Sequence, residues 1–97
     1  MFILQKKGAE LLHEHSKKPA YRIVVTSETA EFNRKGKSVF CKFIEDVDSE
    51  LKCLDECIVV TPEDELIAFG KLMIGPKELE LGQQGMAVRV RSGIETS

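Results

Sequence analysis

The stretch Gly85-Met86-Ala87-Val88-Arg89-Val90-Arg91-Ser92-Gly93, preceded by Asp64-Glu65-Leu66-Ile67-Ala68-Phe69-Gly70-Lys71, decides how this chain folds. Both segments read as strands. Side chains alternate between the faces of a pleated strand, so Met86, Val88 and Val90 are expected in a core, with Ala87, Arg89 and Arg91 on the opposite face. The two guanidiniums would then stand about 7 Å apart, a spacing that suits successive phosphates of a nucleic-acid strand.

Working outward, Arg22-Ile23-Val24-Val25 is an opening strand. Ser27 is a good N-cap residue, Glu28 suits the positive end of a helix and Gly36 sits where a left-handed residue closes one, which predicts a helix from Glu28 to Lys35. Val39 to Ile44 reads as a strand with Val39, Cys41 and Phe43 on one face and Phe40, Lys42 and Ile44 on the other. Leu54 to Val60 and Leu66 to Ile74 form a hairpin around Thr61-Pro62-Glu63-Asp64-Glu65, where Pro62 cannot join a ladder. Gly75-Pro76 breaks the chain, Lys77 to Leu81 makes a helical turn, and Gly82-Gln83-Gln84-Gly85 bends into the final strand. Five or more short strands with one or two short helices predict a mostly β (α+β) domain, a small β pseudobarrel that removes exposed sheet edges.

Three regions are expected: an N-terminal extension over 1–19, a folded domain over 20–94 and a tail over 95–97. Within the extension, Ala9 to His15 suits a short helix and Lys17-Lys18-Pro19 a break. Phe2, Ile3, Leu4, Leu11 and Leu12 can pack back on the domain or form the patch through which a small accessory chain docks on a larger enzyme.

Ninety-seven residues, 42% hydrophobic and 31% charged, suit one ordinary globular domain. The longest apolar run is Met1 to Leu4, so no membrane-spanning or secretory segment is expected, and the expected location is the cytoplasm. The net charge of −2 hides a strong segregation. Residues 1–44 carry nine Lys or Arg against four Glu, +5, while residues 45–97 carry five against twelve acids, −7. A basic face on an acidic protein is thereby allowed, although the acidic half is equally compatible with a solvated surface.

Cys41, Cys53 and Cys57 form no paired C-x-x-C motif, and their odd number argues against a disulfide framework. His13 and His15 could be set beside Cys53 and Cys57 as a zinc site, but the spacing is looser than structural sites use; no metal is expected. Cys41 and Cys57 fall in apolar strand patterns, where a thiol serves as a small hydrophobe. No dinucleotide fingerprint or phosphate loop is present, since Gly82-Gln83-Gln84-Gly85 lacks both the spacing and a following helix. Glu45, Asp46, Asp48 and Glu50 read as a solvated run rather than an acid and base pair. Neither a catalytic residue nor a cofactor is assigned.

Arg34-Lys35-Gly36-Lys37-Ser38 puts three cations, a hydroxyl and a flexible backbone within five residues, each suited to phosphate contact. Arg34, Lys35 and Gly36 are equally what a helix C-terminus favours through its dipole and its cap.

From Arg22 to Gly93 these segments together resemble the PUA domain, the RNA-binding module of pseudouridine synthases and archaeal tRNA transglycosylases. The nearest likeness is to the C-terminal module of the archaeosine-forming transglycosylases. It rests above all on Gly85-x-Ala87-Val88-x-Val90-Arg91-x-Gly93, and also on Ala68-x-Gly70. The resemblance implies that the loop after Gly36 and the last strand lie side by side and hold RNA. On that footing Arg34, Lys35, Gly36, Lys37, Ser38, Arg89 and Arg91 are the expected RNA contacts, with Lys42 and Lys71 at the rim. Two positions depart from the family: Ser38-Val39-Phe40-Cys41 stands where many members have Pro-Gly, and Ser92 where His often follows the final Arg. With one Tyr, five Phe and no Trp, base stacking is expected to be minor. The implied function is a free-standing module that binds RNA, chiefly tRNA, as an accessory or split subunit of an RNA-modifying enzyme whose catalytic partner does the chemistry. The alternative is a non-catalytic protein-interaction module without RNA contact.

Overall fold

A computed structural model describes residues 5–17, 20–82 and 84–94 of the protein. Its elements run α1 (Lys6–His15), β1 (Arg22–Val25), α2 (Ser27–Arg34), β2 (Val39–Phe40), a 3-10 turn (Cys41–Phe43), β3 (Ile44–Val47), β4 (Glu56–Val60), β5 (Leu66–Leu72), α3 (Pro76–Glu80) and β6 (Met86–Gly93). The strands make one six-stranded sheet in the order β2-β6-β5-β4-β1-β3. Its two edge strands are joined only by the 3-10 turn, so the sheet curls into the nearly closed, mostly β barrel expected from the pattern of short strands. All neighbours pair antiparallel except β1 and β4, which are parallel with Arg22 opposite Ile58.

β4 explains the two-layered core. Cys57 and Val59 face the barrel interior with Ile23, Val25, Val39 and Leu72. Ile58 and Val60 face outward into a second cluster with Ala9 and Phe69, against which Leu12 packs. Helix α1 is the lid over that outer face, and it begins at Lys6, earlier than the expected Ala9. The apolar residues Phe2, Ile3 and Leu4 lie outside the described residues, while Leu11 stays 46% exposed on the far side of the helix.

Arg22, in β1, is a strand residue with a second role. Its side chain is 1% exposed. Nε donates to Asp64 Oδ1 at 2.6 Å, Nη1 to Ser16 Oγ and the Ala20 carbonyl, both at 2.9 Å, and Nη2 to the carbonyls of His13 and Ser16 at 3.1 and 3.2 Å. His13 Nε2 meets the Asp64 carbonyl oxygen at 2.6 Å. One guanidinium therefore ties the end of α1, the segment after it and the β4–β5 turn to β1, with every donor matched, as a buried charge requires.

Two local expectations are corrected. The expected strand Val39 to Ile44 is broken by the 3-10 turn at Cys41–Phe43, because the chain must leave one edge of the sheet at β2 and enter the other at β3. Ala87, expected on the outer face, is fully buried beside Val88. Val39 faces Val88 and Phe40 faces Met86, which leaves Ala87 as the extra residue of a β-bulge, where strict alternation lapses and a small side chain can turn inward. A second irregularity pairs Gly70 with Val90 and Phe69 with Ser92, making Arg91 the extra residue. Gly70 has to be glycine there: a Cβ would stand 2.1 Å from the Arg89 carbonyl oxygen.

Cys57 is buried and Cys53 exposed, with Cys53 Sγ donating to the Met73 carbonyl. Burial, aided by the neighbouring Glu56 and Asp55 carboxylates, pushes the Cys57 thiol far above its ordinary value of 9.0. The unfolded chain ionises this thiol first, so the folded state is expected to lose up to about 1.4 kcal/mol per pH unit as pH rises above the unfolded value. Urea titrations between pH 8 and pH 10 check this, since the slope should flatten in Cys57→Ala. A thiol reagent should label Cys53 in the native protein and Cys57 only on unfolding.

Candidate nucleic-acid interface

Helix α2 begins at Ser27 with Thr26 as its N-cap, one residue before the expected N-cap, and ends where Gly36 was expected to close it. Gly36 has φ +98°, its N–H donates to the Asn33 carbonyl at 3.0 Å and that of Lys37 to the Phe32 carbonyl at 3.0 Å. This paired closure is the Schellman arrangement. Fully buried Asn33 then fixes the loop, its Nδ2 donating to the carbonyls of Lys37 and Ser38 at 3.0 and 3.3 Å. Lys35, Gly36 and Lys37 are consequently held outward and exposed on a shaped backbone.

The loop and β6 do lie side by side. Ser38 Oγ accepts from the Val90 N–H at 3.4 Å, and Val39 pairs with Val88. Where α2 crosses the end of β6, the contact is so close that a Cβ on Gly93 would meet the Arg34 carbonyl oxygen at 2.0 Å. On the other side of β6, Lys71 of β5 stands opposite Arg89. Lys71, Arg89 and Arg91 line one shallow cavity of about 330 Å³ with Leu54, Met73 and Val90. Leu54, 60% exposed at φ +76°, holds a backbone conformation that non-glycine residues rarely adopt, beside these cations.

The expected cations divide into two groups. Arg34 is ion-paired with Glu65 at 2.5 Å and lies 3.7 Å from Glu31, with a side chain only 12% exposed, so it joins α2 to the β4–β5 turn. Arg91 forms a two-point pair with the nearly buried carboxylate of Glu56, Nη2 to Oε2 at 3.1 Å, and this contact raises the Arg91 pKa further. By contrast, no carboxylate among the described residues lies within ion-pair distance of Lys35, Lys37, Lys71 or Arg89. Lys42 stands apart, its Nζ 5.0 Å from the centre of the Phe43 ring.

The phenylalanine count led to an expectation of little base stacking, without anticipating that two of the rings are exposed around this loop. Phe32 is 62% and Phe40 49% exposed. Phe32 falls outside the buried stripe Thr29, Ala30 and Asn33 of α2. That was its signal: a large apolar residue on an otherwise polar, solvent-facing part of a short helix. No group of three His, Cys, Asp or Glu among the described residues is placed to hold a metal ion. No helix among them is long and apolar enough to cross a membrane.

Comparison with known proteins places this geometry in context. The PUA domain family matches residues 21–94. A tRNA-guanine(15) transglycosylase of Methanococcus aeolicus is 46% identical over 95 residues, covering 98% of this chain and 15% of that protein. The family match begins at residue 21, close to the Arg22 expected from the motifs, while the alignment with this relative extends into the N-terminal segment. The chain spans about one seventh of the curated relatives it matches. A conserved PUA domain protein from Thermoplasma acidophilum superposes with a TM-score of 0.78 over 92% of this chain and 58% of its own, at 19% identity. The structure of an H/ACA RNP bound to a substrate RNA contains a chain that superposes with a TM-score of 0.73 over 77% of this one and 24% of its own, at 23% identity.

Proposed function

The chain belongs to the PUA domain family, and from that premise we propose that it binds structured RNA, tRNA foremost, as an accessory or split subunit of an RNA-modifying enzyme. The observation that supports this most is the seam itself. Lys35 and Lys37 project from a loop fastened to β6, and Arg89 and Lys71 stand on β6 and its neighbour, so cations with no carboxylate partner among the described residues line a fixed backbone track. The loop amides of Lys35, Gly36 and Lys37 are spent on the helix cap, so the ammonium groups and the Ser38 hydroxyl beside them are what suit phosphate oxygens. That the relatives are tRNA-guanine(15) transglycosylases supports tRNA as the target; the chemistry would belong to a catalytic partner.

Arg34 and Arg91 contribute through structure, positioning α2 and β6 while committed to carboxylates. The test therefore leaves them alone, because removing Arg91 would strand the nearly buried Glu56. In Lys37→Ala/Arg89→Ala, tRNA affinity at low salt should fall more than tenfold with an unchanged unfolding midpoint. About four to six phosphate contacts in the wild type should give a log–log salt slope near −4, shallower by about two in the variant. Electrophoretic shifts with total tRNA across a salt gradient measure both. A folded variant that binds as tightly as wild type would sink the proposal, and salt-insensitive retention of a protein instead of RNA would favour a protein-docking module.

A further inference from the structure

One edge of the sheet is left open on an acidic part of the protein. β3 ends the strand order and pairs with β1 alone. The Asp48 N–H donates to the Arg22 carbonyl at 3.0 Å, and Val47 stands one residue back, opposite Ile23, so the N–H and carbonyl of Val47 turn away from β1. That N–H donates to the carboxylate of its own neighbour, Asp46 Oδ1, at 2.9 Å. Along the same edge, between β3 and α3, runs a groove of about 250 Å³. Ile44, Val47 and Leu79, half-buried against the barrel core, make it apolar, and Glu45, Asp46 and Glu80 place three carboxylates along it. None of these carboxylates is ion-paired among the described residues. Lys42 and Lys77, on the flanking elements, do not line the groove.

We propose that β3 takes an extended, basic segment of a partner protein as a seventh strand, with its cations on Glu45, Asp46 and Glu80 and one apolar side chain in the groove. This deepens the accessory-subunit reading above, naming the surface and the kind of contact through which a catalytic partner is held. Four features select this occupant. Strand addition needs outward backbone groups on an unpaired edge, and Val47 supplies them. The groove falls below the ~300–1,000 Å³ of small-molecule pockets, so it suits a single branched side chain. Carboxylates without a cation repel phosphate and complement lysine and arginine, which turns RNA away from this edge. A second copy pairing edge to edge would set Glu45 and Asp46 against their own counterparts, and like charges placed opposite are destabilising. The acidic edge therefore refuses its own kind while staying open to a basic strand. Asp46 serves both states: its carboxylate holds the Val47 N–H until an incoming carbonyl replaces it, and is then released to meet a cation. The groove shares no residue with the cavity lined by Lys71 and Arg89.

The full chain is titrated with three labelled, end-blocked hexapeptides: alternating arginine and valine, the same peptide with every backbone nitrogen methylated, and alternating glutamate and valine. The arginine–valine peptide is expected to bind about tenfold tighter than either control at low salt, and to slow exchange of the Val47 amide. Glu45→Gln/Asp46→Asn/Glu80→Gln should weaken that binding about tenfold, and the Asn side chain can still accept from Val47 N–H, so the strand is kept. Val47→Pro removes the outward donor at an edge, where proline is tolerated, and should weaken binding as much. Unfolding curves verify both variants; should Val47→Pro not fold, the methylated peptide makes the same test. Equal binding of the arginine–valine peptide and its methylated form overturns the proposal. So does binding that survives in the triple variant, or wild-type self-association that the peptide competes away. Transfer RNA is titrated alongside. If it binds with a steep salt dependence and no peptide does, the edge fails and the seam stands; if the peptide binds as expected and no tRNA does, the edge stands and the seam fails.

Discussion

Arg22→Met is expected to destabilise the protein by about 3–5 kcal/mol, the usual cost of removing one partner from a buried ion pair. Domains of this size are stable by only about 5–15 kcal/mol, so the variant should sit close to unfolding at physiological temperature. The reason lies in what the guanidinium serves. Methionine matches its volume, and swapping whole buried pairs for apolar groups is often neutral. Here, however, the backbone carbonyls of His13, Ser16 and Ala20 would lose their donor as well as Asp64 losing its counter-charge. Asp64→Asn should therefore cost less than Arg22→Met, since the carbonyls would still surround the cation. Asn is also the conservative choice there because residue 64 has φ +65°, which Asn tolerates. Urea unfolding of both variants and their double mutant gives the coupling. Amide exchange should show α1 losing protection first in Arg22→Met. Equal costs for the two single variants would mean that the ion pair, rather than the carbonyls, governs.

Gly93→Ala is expected to be nearly as severe in stability and decisive for binding. The added methyl would lie 2.0 Å from the Arg34 carbonyl oxygen, 2.4 Å from its carbon and 2.7 Å from the Asn33 carbonyl oxygen. All three are backbone atoms and cannot rotate away, so α2 must lift from β6. Overpacking of this kind costs about 1–3 kcal/mol or more. Lifting the helix also pulls Ser38 and Lys37 from beside Val90, so tRNA affinity should drop more than tenfold in whatever fraction stays folded. Thermal melts and filter binding on the same preparation separate the two effects. A fully stable Gly93→Ala protein with wild-type affinity would show that the close crossing positions nothing.

Much of the fold was legible because the strands carry their own punctuation. The Thr61–Glu65 turn, the Gly75-Pro76 break and the Gly36 cap are local chemistry, and local chemistry is what a sequence displays. The nearness of the α2 loop to β6 came only through the family motif, whose Gly70 and Gly93 prove to be the two points where backbones nearly touch. What escaped was nonlocal. Arg22 reads as an ordinary first residue of a strand until Asp64 is brought to it from 42 residues away. Arg91 reads as a twin of Arg89 until a bulge and a partner on β4 divert it to Glu56. The break at Cys41 is set by closure of the barrel, and no spacing of hydrophobic residues announces a corner.

The strand order carries a consequence for how the chain is made. Since β6 is laid between β2 and β5, a nascent polypeptide has no means of finishing its barrel until that strand has left the ribosome, and β2 waits unpaired from its synthesis onward. Parallel pairing of β1 with β4 likewise closes a long loop, from Arg22 to Ile58, a nonlocal contact of the kind that slows assembly. A growing chain of this kind spends its early life with apolar strands uncovered, the circumstance in which chaperone capture during translation matters most.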